Sequence, residues 1–445
     1  MNNIWILTEE VPKIETIKKI LELNYVFIEN EPHSTKITPI MKDEIFLFIY
    51  KIEGITVSSI DNIFIKIVSG HSSFVDYLVF EKKEQPIESD KPLYIIEETK
   101  TDDLESRNTN AYQRSSKFVY CENFYDNTIP KYMLFDIDEG RKIKGFDTHV
   151  FGMRMLSTIG VNLKGVDSRN YPPFKNLEEF IDEKNKIAAN GPKHNTPIEI
   201  RKTSDIEIEI TAKLDKGNGL YKNKISNDPS IGAVSIISAV LRKLGWENKI
   251  LLTNHNLESK NVNNPRVRGN KLLYIMKKLQ VEFKDFNVNW DNITEKLSYW
   301  YYDKTSEKIS SIFFHLMCEK NDSLEIIFNN HAGCGKSYFK QKNGELIPVD
   351  KETPLPDIVI HNKTTCEILV VEAEKSENIK KAHEQLEGFD IFIKKYIKPS
   401  YTCSEVTKAI ITYGTCGEDS HIIFSLDTDG TILNNLSIEK GLCSD

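Results

Sequence analysis

Short runs of β-branched and aromatic residues recur along the chain, as in EIFLFIYKI and IDNIFIKIV, with stretches of helical spacing between them. Such alternation predicts an α/β fold, a mixed sheet flanked by helices, and leaves little room for an all-helical or all-β design. In the first third, ETIKKILELNYVFI reads as a helix running into a strand, and KYMLFDI as a further strand. The middle offers a strand in IEIEITAKL, a helix in PSIGAVSIISAVLRKLGW with proline near its start, and a strand in NKILLTNHN. The last third reads as strands in SSIFFHLMC, LEIIFNN, PDIVIHN and EILVVEAEK, a helix over 378–396, and a strand in TKAIITYG. Pro and Gly in RNYPPF and AANGPKHNTP mark turns or linkers within 168–197.

At 445 residues the chain exceeds one ordinary core and predicts two or three domains, drawn here at 1–165, 166–308 and 309–445. Forty percent apolar and 28 percent charged residues place it among globular proteins. No apolar run is long enough to span a bilayer and the N-terminal residues do not read as a targeting segment, so a cytoplasmic protein without a membrane partner is expected. Seven cysteines without CxxC or His spacing indicate neither a zinc site nor a disulfide framework and predict free thiols. The net charge of −8 argues against nonspecific coating of nucleic acid, yet 259–281 holds six basic residues and no acid.

Two apolar strands end in carboxylates. In IIEETK, alternation of strand faces puts Glu98 and Lys100 together and Glu97 opposite. An earlier run, SSFVDYLVF, carries a single acid, Asp76, among apolar residues, where a lone carboxylate is costly. If the two strands are neighbours, Asp76 and Glu98 can share a Mg2+ ion, with the Thr99 backbone carbonyl as a third ligand. The ion then activates a water against a phosphodiester, and Lys100 orients that water or offsets charge on phosphorus. The duller alternative is an ion pair at a strand end with Asp76 capping a turn.

Asp76 followed by Glu98-Thr99-Lys100 resembles the signature of the PD-(D/E)xK nuclease superfamily, which contains most type II restriction endonucleases. Val75 stands where that family commonly has proline. The resemblance covers residues 60–136 and implies a restriction-endonuclease-like core, with a glutamine on the following helix, for which Gln113 is the candidate. A second stretch, PLPDIVIHNKTTCEILVVEAEK, is similar to the ExE variant of the same superfamily, through Asp357, Glu372 and Glu374, with Gln385 on the next helix. The expectation is therefore two nuclease-like domains around an α/β middle segment.

Arg107, Asn108, Asn110, Gln113 and Arg114 follow the first site, and NPRVRGNK in the middle segment offers Arg266, Arg268 and Lys271, all able to contact phosphates or base edges. NNHAGCGKSY imitates a phosphate-binding loop, but Asn330 replaces its first glycine and no helix is predicted after it. His71 beside Ser72 and Ser73 lacks the Gly-x-Ser-x-Gly turn of a hydrolase. The resemblance implies a Mg2+-dependent endonuclease acting on specific sequences of double-stranded DNA, as monomer or homodimer, with one active site for each strand. A repair nuclease that recognises structure, and a noncatalytic DNA-binding protein on the same scaffold, are the alternatives.

Overall fold

The computed structural model describes residues 2–9, 11–31, 34–42, 45–70, 74–99, 115–125, 128–135, 147–190, 198–212, 229–254, 274–284, 298–301, 323–330, 337–350, 352–375, 379–402 and 404–413. Its architecture is mixed α/β, and no helix among the described residues is long and apolar enough to cross a membrane. Two compact units divide the chain: Met1–Ser69 with Tyr302–Asp445, and Gly70–Tyr301. The three consecutive segments expected are 1–165, 166–308 and 309–445; here the two ends of the chain fall in one unit and the middle in the other.

The N-terminal part of the first unit holds β1 (Asn2–Thr8), α1 (Ile14–Glu22), β2 (Phe27–Glu29), β3 (Lys36–Lys42), β4 (Ile45–Glu53), β5 (Ile55–Val57) and β6 (Ile60–Ile67), with β7 (Ser69–Gly70) at the division. Its strands run in the order β1-β6-β4-β3. Ile17, Ile20 and Leu21 of α1 are fully buried, as are Ile4 and Ile6 of β1. Their spacings of three to four in the helix and two in the strand are the ones that turn one face inward.

In the second unit come β8 (Tyr77–Lys82), β9 (Tyr94–Thr99), helix α2 (115–124), β10 (Lys131–Phe135), α3 (Asp147–Thr158) and β11 (Val161–Lys164), with strand order β11-β10-β9-β8. Helix α4 (Leu177–Asn190) follows, inside the region read as turns or linkers. Only its flanks carry proline and glycine, and the helical spacing between them buries Phe180 and Lys184. Beyond it come β12 (Glu199–Ser204), β13 (Glu207–Ala212), α5 (Pro229–Lys243), β14 (Lys249–Asn254) and β15 (Val281–Phe283), the strands forming a second sheet in chain order, and β16 (Trp300–Tyr301) ends the unit.

The C-terminal part returns to the first unit with β17 (Leu324–Asn329), β18 (Ser337–Lys340), β19 (Leu346–Val349), β20 (Ile358–Asn362), β21 (Glu367–Lys375), α6 (Ile379–Phe392) and β22 (Glu405–Tyr413). The sheet order is β19-β18-β17-β20-β21-β22. Its core packs Val359 and Val370 of the sheet against Phe389 and Phe392 of α6. Truncating a fully buried phenylalanine such as Phe392 would cost about 3–5 kcal/mol. SSIFFHLMC lies outside the described residues. Strand β18 begins directly at Ser337, so the phosphate-loop imitation is followed by strand and not helix.

Among the described residues one arrangement occurs three times: an antiparallel hairpin, a helix, and a strand parallel to the hairpin's second strand. The copies are β8-β9-α2-β10, β12-β13-α5-β14 and β20-β21-α6-β22. No fixed sequence period announces them.

Candidate active site

The pairing of β8 with β9 decides which acid meets Asp76. Tyr77 lies opposite Ile96, Leu78 opposite Ile95 and Val79 opposite Tyr94, so Asp76, in the bend just before β8, falls opposite Glu97. Directly opposed residues share a face of the sheet. Glu98 therefore points to the other face, and the expected sharing of one face by Asp76 and Glu98 is corrected to Asp76 and Glu97. On its own side, Glu98 is buried and its Oε2 accepts the Tyr77 hydroxyl at 3.0 Å.

Both functional candidates are held by main chain. Asp76 N–H donates to Glu97 Oε1 at 2.9 Å, and Glu98 N–H donates to Asp76 Oδ2 at 2.8 Å. Helix α2 supplies the third group: Lys117 Nζ donates to Glu97 Oε1 at 2.9 Å, to Glu97 Oε2 at 3.1 Å and to Asp76 Oδ1 at 3.3 Å. The Glu97 side chain is 0% exposed, against 32% for Asp76 and 23% for Lys117. A carboxylate that deep needs a counter-charge, and the ammonium provides it.

Helix α2 is pinned by Phe118, Val119, Tyr120 and Cys121, all buried, which turns Lys117 towards the sheet end. Tyr299 steadies the approach to Asp76, its hydroxyl accepting Val75 N–H at 3.0 Å. Burial pushes the hydroxyl of Tyr299 and the thiol of Cys121 well above their ordinary pKa values, so neither serves as an anionic nucleophile. Cys121 and Cys366 are free thiols.

Glu97, Lys117 and Tyr299 were missed by the sequence reading. Lys117 has no recognisable spacing from the strand acids, and Tyr299 is distant in sequence. Glu97 was rightly set on the face opposite Glu98, but Asp76 was paired with Glu98. Thr99 is the last residue of β9, paired with Phe135. Lys100, Arg107, Asn108, Asn110, Gln113, Arg114, Arg266, Arg268 and Lys271 lie outside the described residues, as do His71, Ser72 and Ser73.

The second constellation repeats the first in register. Ile358 lies opposite Val371, and Asp357 N–H donates to the Val371 carbonyl at 3.0 Å, which places Asp357 in the bend before β20 and opposite Glu372. Both share the face of Val359 and Val370, the one covered by α6. Glu372 is 4% exposed, and the Gln385 amide oxygen on α6 is buried without a hydrogen-bond partner among the described residues. Glu374 belongs to β21, but its side chain lies outside the described residues. In the third copy, Glu199 lies opposite Thr211 and Ile200 opposite Ile210. Continued by one residue, that register puts Ile198 and Ala212 where the other two copies carry their acids.

Among the described residues no group of three or more His, Cys, Asp or Glu side chains could cage a metal. A pair of opposed carboxylates still fits Mg2+ in charge and donor type, since this ion keeps several waters and takes one or two carboxylates together with phosphate oxygens. The cleft between Asp76 and Glu97 already accommodates a cation, the Lys117 ammonium. No family model matches the chain, and neither a curated protein nor a solved structure matches it.

Proposed function

We propose that the chain is a Mg2+-dependent endonuclease of double-stranded DNA, with its first active site at Asp76, Glu97 and Lys117. The observation that carries this reading is the Asp76–Glu97 pair, two carboxylates opposed on the helix-covered face and closing on one cation. The PD-(D/E)xK resemblance supports it, with the strand acid moved from Glu98 to Glu97 and with Lys117 as the described amine close to the acids.

In this reading Asp76 and Glu97 hold the ion, and the ion when bound polarises the phosphodiester and lowers the pKa of a coordinated water. Lys117 places positive charge beside the phosphate oxygens, where negative charge grows as water attacks. Main-chain N–H groups fix both carboxylates before substrate arrives, so little reorganisation accompanies binding. Asp357, Glu372 and Gln385 form a second site of the same design, and two sites in one chain suit the cutting of two strands. Restriction of a specific sequence is the finer form of the proposal.

The test is cleavage of supercoiled plasmid with Mg2+. Conversion to linear DNA by the wild type, lost in Glu97→Gln and kept in Glu98→Gln, is the expected result; no Mg2+-dependent cleavage by the wild type overturns it. A second reading, in which Lys117, Asp76 and Glu97 form only a structural ion pair, is favoured by the completeness of their hydrogen bonding. It predicts DNA binding at most, without cleavage.

A further inference from the structure

We infer that Lys117 is a tethered occupant of the cation position, which a divalent ion reaches only after the lysine has swung out. This rests on the reading of Asp76 and Glu97 as cation ligands. Lys117 Nζ sits 2.9 and 3.1 Å from the two Glu97 oxygens and 3.3 Å from Asp76 Oδ1. A Mg2+ ion joining the same two carboxylates lies at roughly 2.0–2.1 Å from its oxygens. Both cations would then crowd into one cleft, with the like charges only a few ångströms apart, where burial leaves their repulsion poorly screened.

The lysine answers a need of the ion-free protein. Glu97 is fully buried, and an uncompensated charge there is strongly destabilising. Lys117 is also built to leave. Its side chain keeps 23% exposure, and a long flexible stem lets the ammonium swing off the carboxylates while the helix stays in place, to water in the free protein or to the phosphate oxygens of a bound substrate. Two states follow, ammonium in and ammonium out, and metal binds the second. Apparent metal affinity is lowered by the fraction of time the lysine is out, so a lysine seated nine-tenths of the time weakens binding about tenfold.

Calorimetric titration with Mn2+ of the full chain, without DNA, tests this through Lys117→Met. The expected result is binding about tenfold tighter or more at the site that Glu97→Gln abolishes. In parallel, acetylation of Lys117 in the wild type, followed by mass spectrometry, becomes faster when Mg2+ is added, and this arm stands even if Lys117→Met fails to fold. If Mn2+ binds at a site removed by Glu97→Gln, yet Lys117→Met binds no tighter and Mg2+ leaves acetylation unchanged, the tethered-occupant idea is overturned and the ligand assignment survives. Should the wild type and Glu97→Gln bind Mn2+ identically, the ligand assignment falls and this inference falls with it.

Discussion

Asp76 and Glu97 tie the open end of their hairpin together reciprocally: Glu97 Oε1 accepts the main-chain N–H of Asp76, and Asp76 Oδ2 accepts that of Glu98. Each acid is oriented by the other strand's backbone. The pair is consequently as rigid as the sheet, which is what a metal-holding or charge-holding cleft requires.

Neighbouring acids on β9 should separate cleanly by mutation. Outer-shell partners of a metal typically cost 10–100-fold when removed, so loss of a direct ligand in Glu97→Gln is expected to slow conversion of plasmid to linear DNA by more than about a hundredfold. Glu98→Gln, altered on the opposite face, should stay within a few-fold of wild type. Equal losses in both would contradict the register argument.

Tyr77→Phe removes the hydroxyl donated to buried Glu98. Leaving a buried carboxylate short of a partner costs about 1–3 kcal/mol. A lower urea midpoint with unchanged cleavage per folded molecule is expected, and a selective loss of cleavage would place Glu98 in the chemistry after all.

Two sites of like design predict nicking when either is disabled. Glu97→Gln and Glu372→Gln should each leave open circular plasmid as the end product, on opposite strands, as read by primer extension. If Glu372→Gln linearises DNA at the wild-type rate, the second constellation is a structural remnant.

A pH effect is expected from Lys184, whose Nζ donates to the Ile198 carbonyl at 2.6 Å. Burial pushes its pKa down to about 8 from the ordinary 10.5. Below about 8 the native state carries a buried ammonium and the cost is present in full; between that value and 10.5 the unfolded chain binds more protons, so stability rises with pH. Relative to Lys184→Met, the wild type should gain on the order of 3 kcal/mol at most across that window, measured by denaturant unfolding. A constant difference from pH 7 to about 10.5 would argue against the shift.

Much of the element sequence is legible without coordinates. Pro229 at the start of α5, the helical spacing of Ile17, Ile20 and Leu21, and the β-branched runs of β6, β13 and β21 each announce their structure locally. The two acid-ended hairpins, with Asp357 facing Glu372, could also be suspected from strand alternation. Helix α4 was obscured because the proline and glycine on its flanks spoke louder than the spacing between them.

What the sequence by itself determined was the inventory: alternating strands and helices, and carboxylates at the ends of two apolar strands. Which carboxylate faces Asp76 was decided only by tertiary structure. Side chains alternate with a period of two, so a slip of one residue exchanges Glu97 for Glu98, and the connection over 83–93 fixes that register without any local signal. The same is true of Lys117, brought to the acids by the packing of Phe118, Val119, Tyr120 and Cys121 in the interior. Proximity between remote residues is a property of the closed core, and no short stretch of chain contains it.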